Sequence, residues 1–355
     1  MKLIVQIPCL NEEHTLPVTL ADIPRTIPNI DEVEVLVIDD GSADATLRAA
    51  YEHGADHVVR FPRTKGLTRA FSAGIDACLR LGADIIVNTD GDHQYRGSDI
   101  PKLIGPILDG TAEIVIGNRQ VERIQDFSWA KKKLQQVGSW AVRRVSGIDV
   151  PDVTSGFRAF SREAALQINI VSPFSYTLET VIQAAKKHIA VGHTKIKTNP
   201  KTRPSRLFRS IPEYIKRSLI TIIRVYTMFQ PLRVFTGFGM VFLAAALVLG
   251  ARFLYFYAYG SGQGHVQSVV LAGALGVIGF LVLLIGLVAD LISFNRKLIE
   301  ETLYRMRRVE LSIGSRGPAA PDGGGYSLSR PYHPGKEDFD PGGAPRIVHK
   351  EGEGE

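Results

Sequence analysis

The sequence predicts an α/β protein on a mostly parallel sheet, followed by a basic amphipathic segment and two transmembrane helices. Three observations carry this reading. Short apolar runs alternate with helical patterns between residues 3 and 116. Three of those runs open directly into polar, acid-bearing residues. Two apolar stretches, 234–259 and 266–294, exceed the roughly 20 residues needed to cross a hydrocarbon core.

The runs at 3–7, 33–38, 57–59, 84–87 and 113–116 are expected strands. The first is too short for a secretory signal and halts at Pro8. Helical periodicity covers 43–51 and 68–81, and within the second Phe71, Ile75, Cys78 and Leu79 share a face that faces the core. From 117 to 198 the pattern is less regular. It holds the run Lys131-Lys132-Lys133, a turn at Ser155-Gly156-Phe157-Arg158 and a helix over 176–187. Beyond it, Ile215, Leu219, Ile222, Ile223 and Tyr226 align on one helical face, with Arg209, Lys216, Arg217 and Arg224 near the others. That is the pattern of a helix lying in a membrane interface, with a helix packed on the domain as the alternative.

The linker 260–265 between the two apolar stretches has no Lys or Arg, whereas Arg224 and Arg233 precede the pair and Arg296, Lys297, Arg305, Arg307 and Arg308 follow it. Positive-inside reasoning puts both termini and the N-terminal domain in the cytosol of a multi-pass membrane protein, at the cell membrane in a prokaryote. Arg252 and Asp290 lie toward the ends of the spans and are expected to snorkel, which argues against a transporter. The Gly-, Pro- and charge-rich segment 313–355 buries too little apolar surface to fold and is expected to be disordered.

With 355 residues and a net charge of +6, the chain has room for one large or two ordinary domains. No basic-aromatic recognition pattern accompanies the charge, so nucleic acid is not an expected partner; membrane lipids and phosphate substrates are. Two distant cysteines, Cys9 and Cys78, offer neither a disulfide framework nor a zinc site. The His53-x-x-x-His57 spacing lacks a third ligand and is read as surface histidines.

The chemistry concentrates in Asn88-Thr89-Asp90-Gly91-Asp92-His93-Gln94. Two carboxylates one residue apart, with a neutral amide oxygen from Gln94, suit a hard cation, Mg²⁺ or Mn²⁺, that keeps positions open for phosphates. Alone, such a pattern is more often a solvated acidic turn. Here Leu3-Ile4-Val5-Gln6-Ile7-Pro8-Cys9-Leu10-Asn11-Glu12-Glu13 and Val35-Leu36-Val37-Ile38-Asp39-Asp40-Gly41-Ser42 have the same form, so three acid-bearing strand ends meet at one sheet edge.

Together these segments resemble the inverting nucleotide-sugar glycosyltransferases of family 2, which have the GT-A fold. With the patterns above, the chain divides into a catalytic domain of the GT-A fold that the resemblance implies (1–206), an interfacial helix (207–230), a transmembrane hairpin (231–298), a juxtamembrane helix (299–312) and the tail (313–355). The resemblance implies nucleotide-sugar binding by Pro8, Leu10, Glu12, Ile38, Asp40, Asp90, Gly91 and Asp92, with a metal held by Asp90, Asp92 and Gln94. Leu10 stands where many relatives have an aromatic residue. Within the family, the dolichyl-phosphate mannose synthases and bacterial polyprenyl-phosphate glycosyltransferases hold the acceptor phosphate with basic residues. Matching positions are Arg119, Lys132 and Gln136, the last two replacing an arginine and a serine. Arg203 and Arg206 resemble the loop that closes on the donor phosphates. Asp90, Asp92 and Arg119 are then the catalytic set, Arg158 is open between function and structure, and Asp152 has at most a minor role.

The implied reaction transfers a hexose from GDP-mannose or UDP-glucose to a polyprenyl or dolichyl phosphate, making a lipid-linked donor for glycans or protein glycosylation. A phosphate monoester with a second pKa near 6 is largely dianionic at pH 7, so such an acceptor needs no catalytic base. A transferase acting on a sugar or polysaccharide acceptor is second; the Gln-x-x-Arg-Trp run of processive synthases is matched only by Gln136-Val137-Gly138-Ser139-Trp140, with serine for arginine. A silent membrane scaffold would not need Asp90, Asp92 and Gln94 intact. A dinucleotide-dependent enzyme would show Gly-x-Gly-x-x-Gly after the first strand, and none is there. Whether the chain forms a homo-oligomer is left open.

Overall fold

The computed structural model describes residues 1–120, 147–170, 176–200, 230–260, 266–313 and 327–329, with single positions between 220 and 227. Strands β1 (Lys2–Cys9), β2 (Glu32–Asp39), β3 (His57–Arg60), β4 (Ile85–Asn88) and β5 (Ile114–Asn118) form at the five expected runs. Helices α1 (Leu16–Asp22), α2 (Thr46–Glu52), α3 (Leu67–Arg80) and α4 (Ile100–Leu108) connect them. Neither α1 nor α4 was expected. Each has proline in its first turn, which starts a helix readily, but α1 has 7 residues and α4 has 9, too few for a clear period.

The sheet order is β7-β5-β6-β4-β1-β2-β3-β8, with β7 at Val191–Lys195. β6 (Arg158–Ser161) is antiparallel to both β4 and β5, and β8 (Ser327–Ser329) to β3; the other described pairings are parallel. Arg158, expected in a turn, opens β6. Four residues with three buried in succession carry little strand signal. In the tail, β8 departs from the expected disorder, because the outer edge of β3 offers a row of backbone groups to pair. The remaining tail and the expected interfacial helix lie largely outside the described residues.

Two apolar layers flank the sheet. Phe71, Phe160 and Tyr176 anchor the layer under α3, α5 (Arg162–Gln167) and α6 (Tyr176–Lys186), while Leu16, Leu20, Leu103 and Ile104 anchor the layer under α1 and α4. Phe71, Ile75, Cys78 and Leu79 are buried as their spacing requires. Each large side chain so buried contributes roughly 1.5–3 kcal/mol. Gln6 interrupts the apolar face of β1, and Gly74 on α3 makes room for it: a Cβ there would lie 2.3 Å from Gln6 Oε1. The pairs Cys9↔Asp39, Asp39↔Arg60 and Gln6↔Asn88 bring the C-terminal ends of β1 to β4 to one edge.

After this domain come α7 (Pro231–Ala258) and α8 (Val266–Ile313), both long and apolar enough to cross a membrane. Large apolar side chains stand outward on both, Leu247 at 74% and Leu291 at 66% exposure. The buried residues of α8 are Ala272, Gly279, Gly286 and Ser293, a seven-residue spacing that forms one seam of small side chains. A Cβ on Gly279 would lie 2.9 Å from Leu243 Cγ, and one on Gly286 2.8 Å from Phe235 Cβ, so glycine lets the helices approach. The segment 299–312 is not separate from the second span. α8 runs on through it and docks on the domain through Lys187–Glu300 (3.0 Å), Arg80–Glu310 (2.7 Å) and a bond from Tyr304 to Glu163.

Candidate active site

At the sheet edge, β1 ends at Cys9 and is followed by Leu10, β2 ends at Asp39 and is followed by Asp40, and β4 ends at Asn88 and is followed by Thr89 and Asp90. The buried Cys9 thiol is pushed well up by burial and then by the charges of Glu12, Asp39, Asp90 and Asp92. Acids that follow or end three strands therefore lie near one buried thiol. Glu12 is nearly buried; its backbone N–H donates to Thr46 Oγ1 at 2.7 Å and its carboxylate accepts from Thr15 Oγ1 at 2.7 Å. Asp40 accepts the backbone N–H groups of Lys65 and Gly66 at 2.7 and 2.8 Å, which ties β2 to the start of α3. Burial raises its carboxyl above the usual range, against those two bonds.

The Asp90 loop is shaped by close packing. A Cβ on Gly91 would lie 2.7 Å from Cys9 Sγ, and one on Gly156 would lie 3.1 and 3.2 Å from the two carboxylate oxygens of Asp90. His93 has φ +56°, a left-handed turn that brings the backbone N–H of Gln94 to Asp92 Oδ1 at 3.2 Å. Asp90, Asp92 and Gln94 are all half-buried at this edge. Asn199, just after β7, donates its backbone N–H to the Gln94 carbonyl at 3.0 Å and its side-chain amide to the His93 carbonyl at 3.1 Å.

After β5 the same edge carries an arginine paired with a buried carboxylate. Arg119, after β5, donates from Nε and Nη2 to the two carboxylate oxygens of Asp152 at 2.7 and 2.9 Å, and from Nη2 to Thr154 Oγ1 at 2.8 Å. Nη1 has no hydrogen-bond partner among the described residues. The Asp152 carboxyl would rise on burial, but the Arg119 charge and hydrogen bonds hold it below its usual range. Tyr95, stacked on Phe157 at 5.2 Å, accepts the Gly156 N–H at 3.0 Å, and burial pushes its phenol up to about 12. Asn88 donates to the Gly156 carbonyl at 2.8 Å and to Tyr176 Oη at 3.2 Å, and accepts from Gln6 at 2.9 Å. Arg158 is wholly buried, donating to the Ser155 and Val153 carbonyls at 2.8 and 2.7 Å, and burial brings it down to about 10. Its part is to hold the Ser155 turn.

Of the residues expected in the site, Pro8, Leu10, Glu12, Ile38, Asp40, Asp90, Gly91, Asp92, Gln94 and Arg119 all lie at this edge. Lys132, Gln136, Arg203 and Arg206 lie outside the described residues. Sequence reasoning missed Asn88, Tyr95, Tyr176 and Asn199, and ranked Asp152 too low to see it as the partner of Arg119. A polar Gln6 inside an apolar strand was a usable signal for the Asn88 network; nothing local announces Asp152. His57 starts β3 and meets Glu34 at 3.0 Å.

The chain was compared with known proteins. A family described as glycosyl transferase family 2 matches residues 4–168. An undecaprenyl-phosphate mannosyltransferase of Micrococcus luteus is 32% identical over 177 residues, 48% of this chain and 70% of that protein. This chain belongs to glycosyl transferase family 2. Further family 2 relatives include the polyprenol monophosphomannose synthase of Mycolicibacterium smegmatis, 31% identical over 47% of this chain and 64% of its own length. Glycosyltransferase AglJ of Haloferax volcanii is 29% identical over 85% of this chain and 95% of its own, so that likeness extends beyond the catalytic domain. Glucosyl-3-phosphoglycerate synthase of Mycobacterium tuberculosis, solved with Mn²⁺, UDP-glucose and phosphoglyceric acid, covers 63% of this chain and 79% of its own with TM-score 0.50 and 22% identity. This likeness shows the fold, a GT-A sheet. The chain is a family 2 glycosyltransferase.

Among the described residues no three His, Cys, Asp or Glu side chains form a metal cluster. Asp90 and Asp92 with the Gln94 amide are a donor set of another composition. Oxygen ligands on alternate residues, with the Asp90 carboxylate seated against Gly156 where a Cβ would intrude, fit a hard divalent ion.

Proposed function

We propose that this glycosyltransferase moves a hexose, with inversion, from a nucleotide sugar of the GDP-mannose or UDP-glucose type to the phosphate of a polyprenyl or dolichyl phosphate. One observation carries the reading: one edge of the sheet gathers carboxylates from three strand ends near Cys9 and, just after β5, the Arg119–Asp152 pair. An anionic donor with its metal suits the first group and an anionic acceptor the second. The relatives named for undecaprenyl-phosphate and polyprenol-phosphate mannose transfer support the acceptor class.

Pro8, Leu10, Glu12, Ile38 and Asp40 would hold base and ribose, Asp90 and Gly91 the sugar side, and Asp90, Asp92 and Gln94 the Mg²⁺ or Mn²⁺. The ion would offset charge on the departing nucleotide diphosphate. Arg203 and Arg206 would close on the donor from the segment that Asn199 ties to Gln94. On the acceptor side, Arg119 would present Nη1 to the phosphate while Asp152 fixes its plane, with Lys132 and Gln136 completing the contact. The phosphate is already a dianion, so alignment and charge neutralisation supply most of the acceleration and no side chain needs to take a proton. We further propose a catalytic domain over 1–206, an interfacial helix over 207–230 and a membrane hairpin whose second helix continues through Ile313, with domain and termini cytosolic.

Purified full-length protein assayed with a panel of nucleotide sugars and a short polyprenyl phosphate tests this. Transfer from one donor, abolished by chelation and restored by Mg²⁺ or Mn²⁺, is expected. Full activity in the presence of a chelator would remove the metal from the scheme.

A further inference from the structure

Just past β7, three successive residues are tied to the segment that follows β4. The backbone N–H of Lys197 donates to Asp99 Oδ2 at 2.8 Å, Thr198 forms an antiparallel bridge with Tyr95, and the backbone N–H of Asn199 donates to the Gln94 carbonyl at 3.0 Å. The Asn199 side chain then spends its oxygen and its nitrogen on the same segment. Arg96 Nε donates to Asn199 Oδ1 at 3.0 Å, and Asn199 Nδ2 lies 3.1 Å from the His93 carbonyl oxygen and 3.0 Å from His93 Nε2. A guanidinium only donates, so the amide oxygen must face Arg96, and both amide hydrogens are left for His93.

His93 is the residue that needs holding. Its φ of +56° lies in the left-handed region, which a residue with a Cβ adopts only at a cost. It stands between Asp92 and Gln94, and its turn brings the Gln94 N–H to Asp92 Oδ1 at 3.2 Å. Relaxation to extended backbone at this one residue would redirect the chain between the two and part them. Two hydrogen bonds from one side chain, and a third from the same residue's backbone to Gln94, oppose that relaxation.

We infer that Asn199 is a positioning residue for the divalent ion: it braces His93 in the left-handed turn, so that Asp92 and Gln94 present their oxygens to one cation. The inference rests on the metal role proposed for Asp92 and Gln94. Asn199 acts through the backbone of residues 93 and 94 and supplies no ligand itself. Partners at one remove from a metal commonly set its affinity by roughly 10- to 100-fold, because they fix the ligands before the ion arrives. The residue type is specified by its neighbours. A carboxylate at 199 would keep an acceptor for Arg96 but turn an oxygen toward the His93 carbonyl, and an apolar side chain would serve neither.

Mn²⁺ titrated alone into the full chain in detergent, read by the electron paramagnetic resonance of the free ion, measures binding apart from transfer. The parent should bind, Asp92→Asn should not, and Asn199→Ala should bind about tenfold more weakly, a loss of about 1.4 kcal/mol. Asn199→Asp, of the same shape, should also bind more weakly, although its added charge alone would favour a cation. Adding His93→Gly to Asn199→Ala should recover affinity, because glycine takes the left-handed turn unaided. The control is Arg162→Met, which removes bonds to the Ala83 and Leu79 carbonyls at 2.9 and 3.4 Å at the other end of β4 and should keep parental affinity. Unchanged affinity in Asn199→Ala, tighter binding in Asn199→Asp, or a double variant no better than the single would overturn the brace. Equal weakening in Arg162→Met would reduce the effect to general loosening and overturn it as well. A parent that binds no Mn²⁺ would instead remove the metal from the proposed function, and the brace with it, so the two failures read differently.

Discussion

On the carboxylate side, acids from three strand ends crowd around Cys9, and Asp40 spends both its oxygens on backbone N–H groups of another loop. On the arginine side a single guanidinium is locked to a single carboxylate 33 residues away. The first keeps a surplus of negative charge, which suits a cation and a diphosphate. The second is close to neutral and held by paired hydrogen bonds, so in the proposed scheme it would orient an incoming phosphate more than attract one. On the proposed assignment the two regions do different jobs: the donor side gathers charge and the acceptor side holds a plane.

The largest expected effect is on the surplus. Asp92→Asn removes an anionic ligand without changing volume and should lower transfer by about 10³-fold, the scale of losing one electrostatic contact in a closed site, with the fold intact by circular dichroism. Near-normal transfer with Mg²⁺ or Mn²⁺ would erase the distinction between the two sides. Next, Asp152→Leu should destabilise the protein by about 3–5 kcal/mol, because it strands the buried Arg119 charge. The double variant Arg119→Met/Asp152→Leu should recover most of that stability and none of the transfer, and denaturant midpoints with activity read both. A single variant as stable as the parent would mean the pair is not the locked unit described. Arg119→Ala, in turn, should raise the Michaelis constant for lipid phosphate more than for nucleotide sugar.

The two sides should also titrate in opposite senses about the unfolded aspartate value of about 3.9. The depressed Asp152 carboxyl lends stability above that value and loses it as pH falls through its folded pKa. The raised Asp40 carboxyl does the reverse: its contribution is present below that value and is lost as pH rises through its folded pKa. Carboxyl-carbon titration of ¹³C-aspartate protein, assigned with Asp40→Asn and Asp152→Asn, should place the two on opposite sides; the same side for both would contradict the contrast. Smallest of all, Gly91→Ala should cost about 1–3 kcal/mol by pressing a Cβ onto Cys9, and a thermal shift would measure it.

The same contrast explains what the sequence made legible. Glu12, Asp40, Asp90 and Asp92 stand where apolar runs end, so each run announces both a strand and its chemistry. The arginine side has no such local mark. Asp152 reaches Arg119 only because β6 inserts antiparallel between β4 and β5, and β6 is a four-residue strand with no alternation to betray it. Asn199 likewise gains its place by pairing with a loop 106 residues earlier. The apolar lengths of α7 and α8 were plain, but the single helix through 313 was not, since its last turns pack on the domain by ion pairs and a tyrosine that carry no period.

The central claim is that the accepting atom belongs to a lipid phosphate. Offered an equimolar mixture of a short polyprenyl phosphate and the matching polyprenol with the cognate nucleotide sugar, the enzyme should glycosylate the phosphate alone. The anomeric coupling and ³¹P shift of the product should show a sugar phosphodiester of inverted configuration. Glycosylated polyprenol, or a product that retains the donor's anomeric configuration, would contradict it.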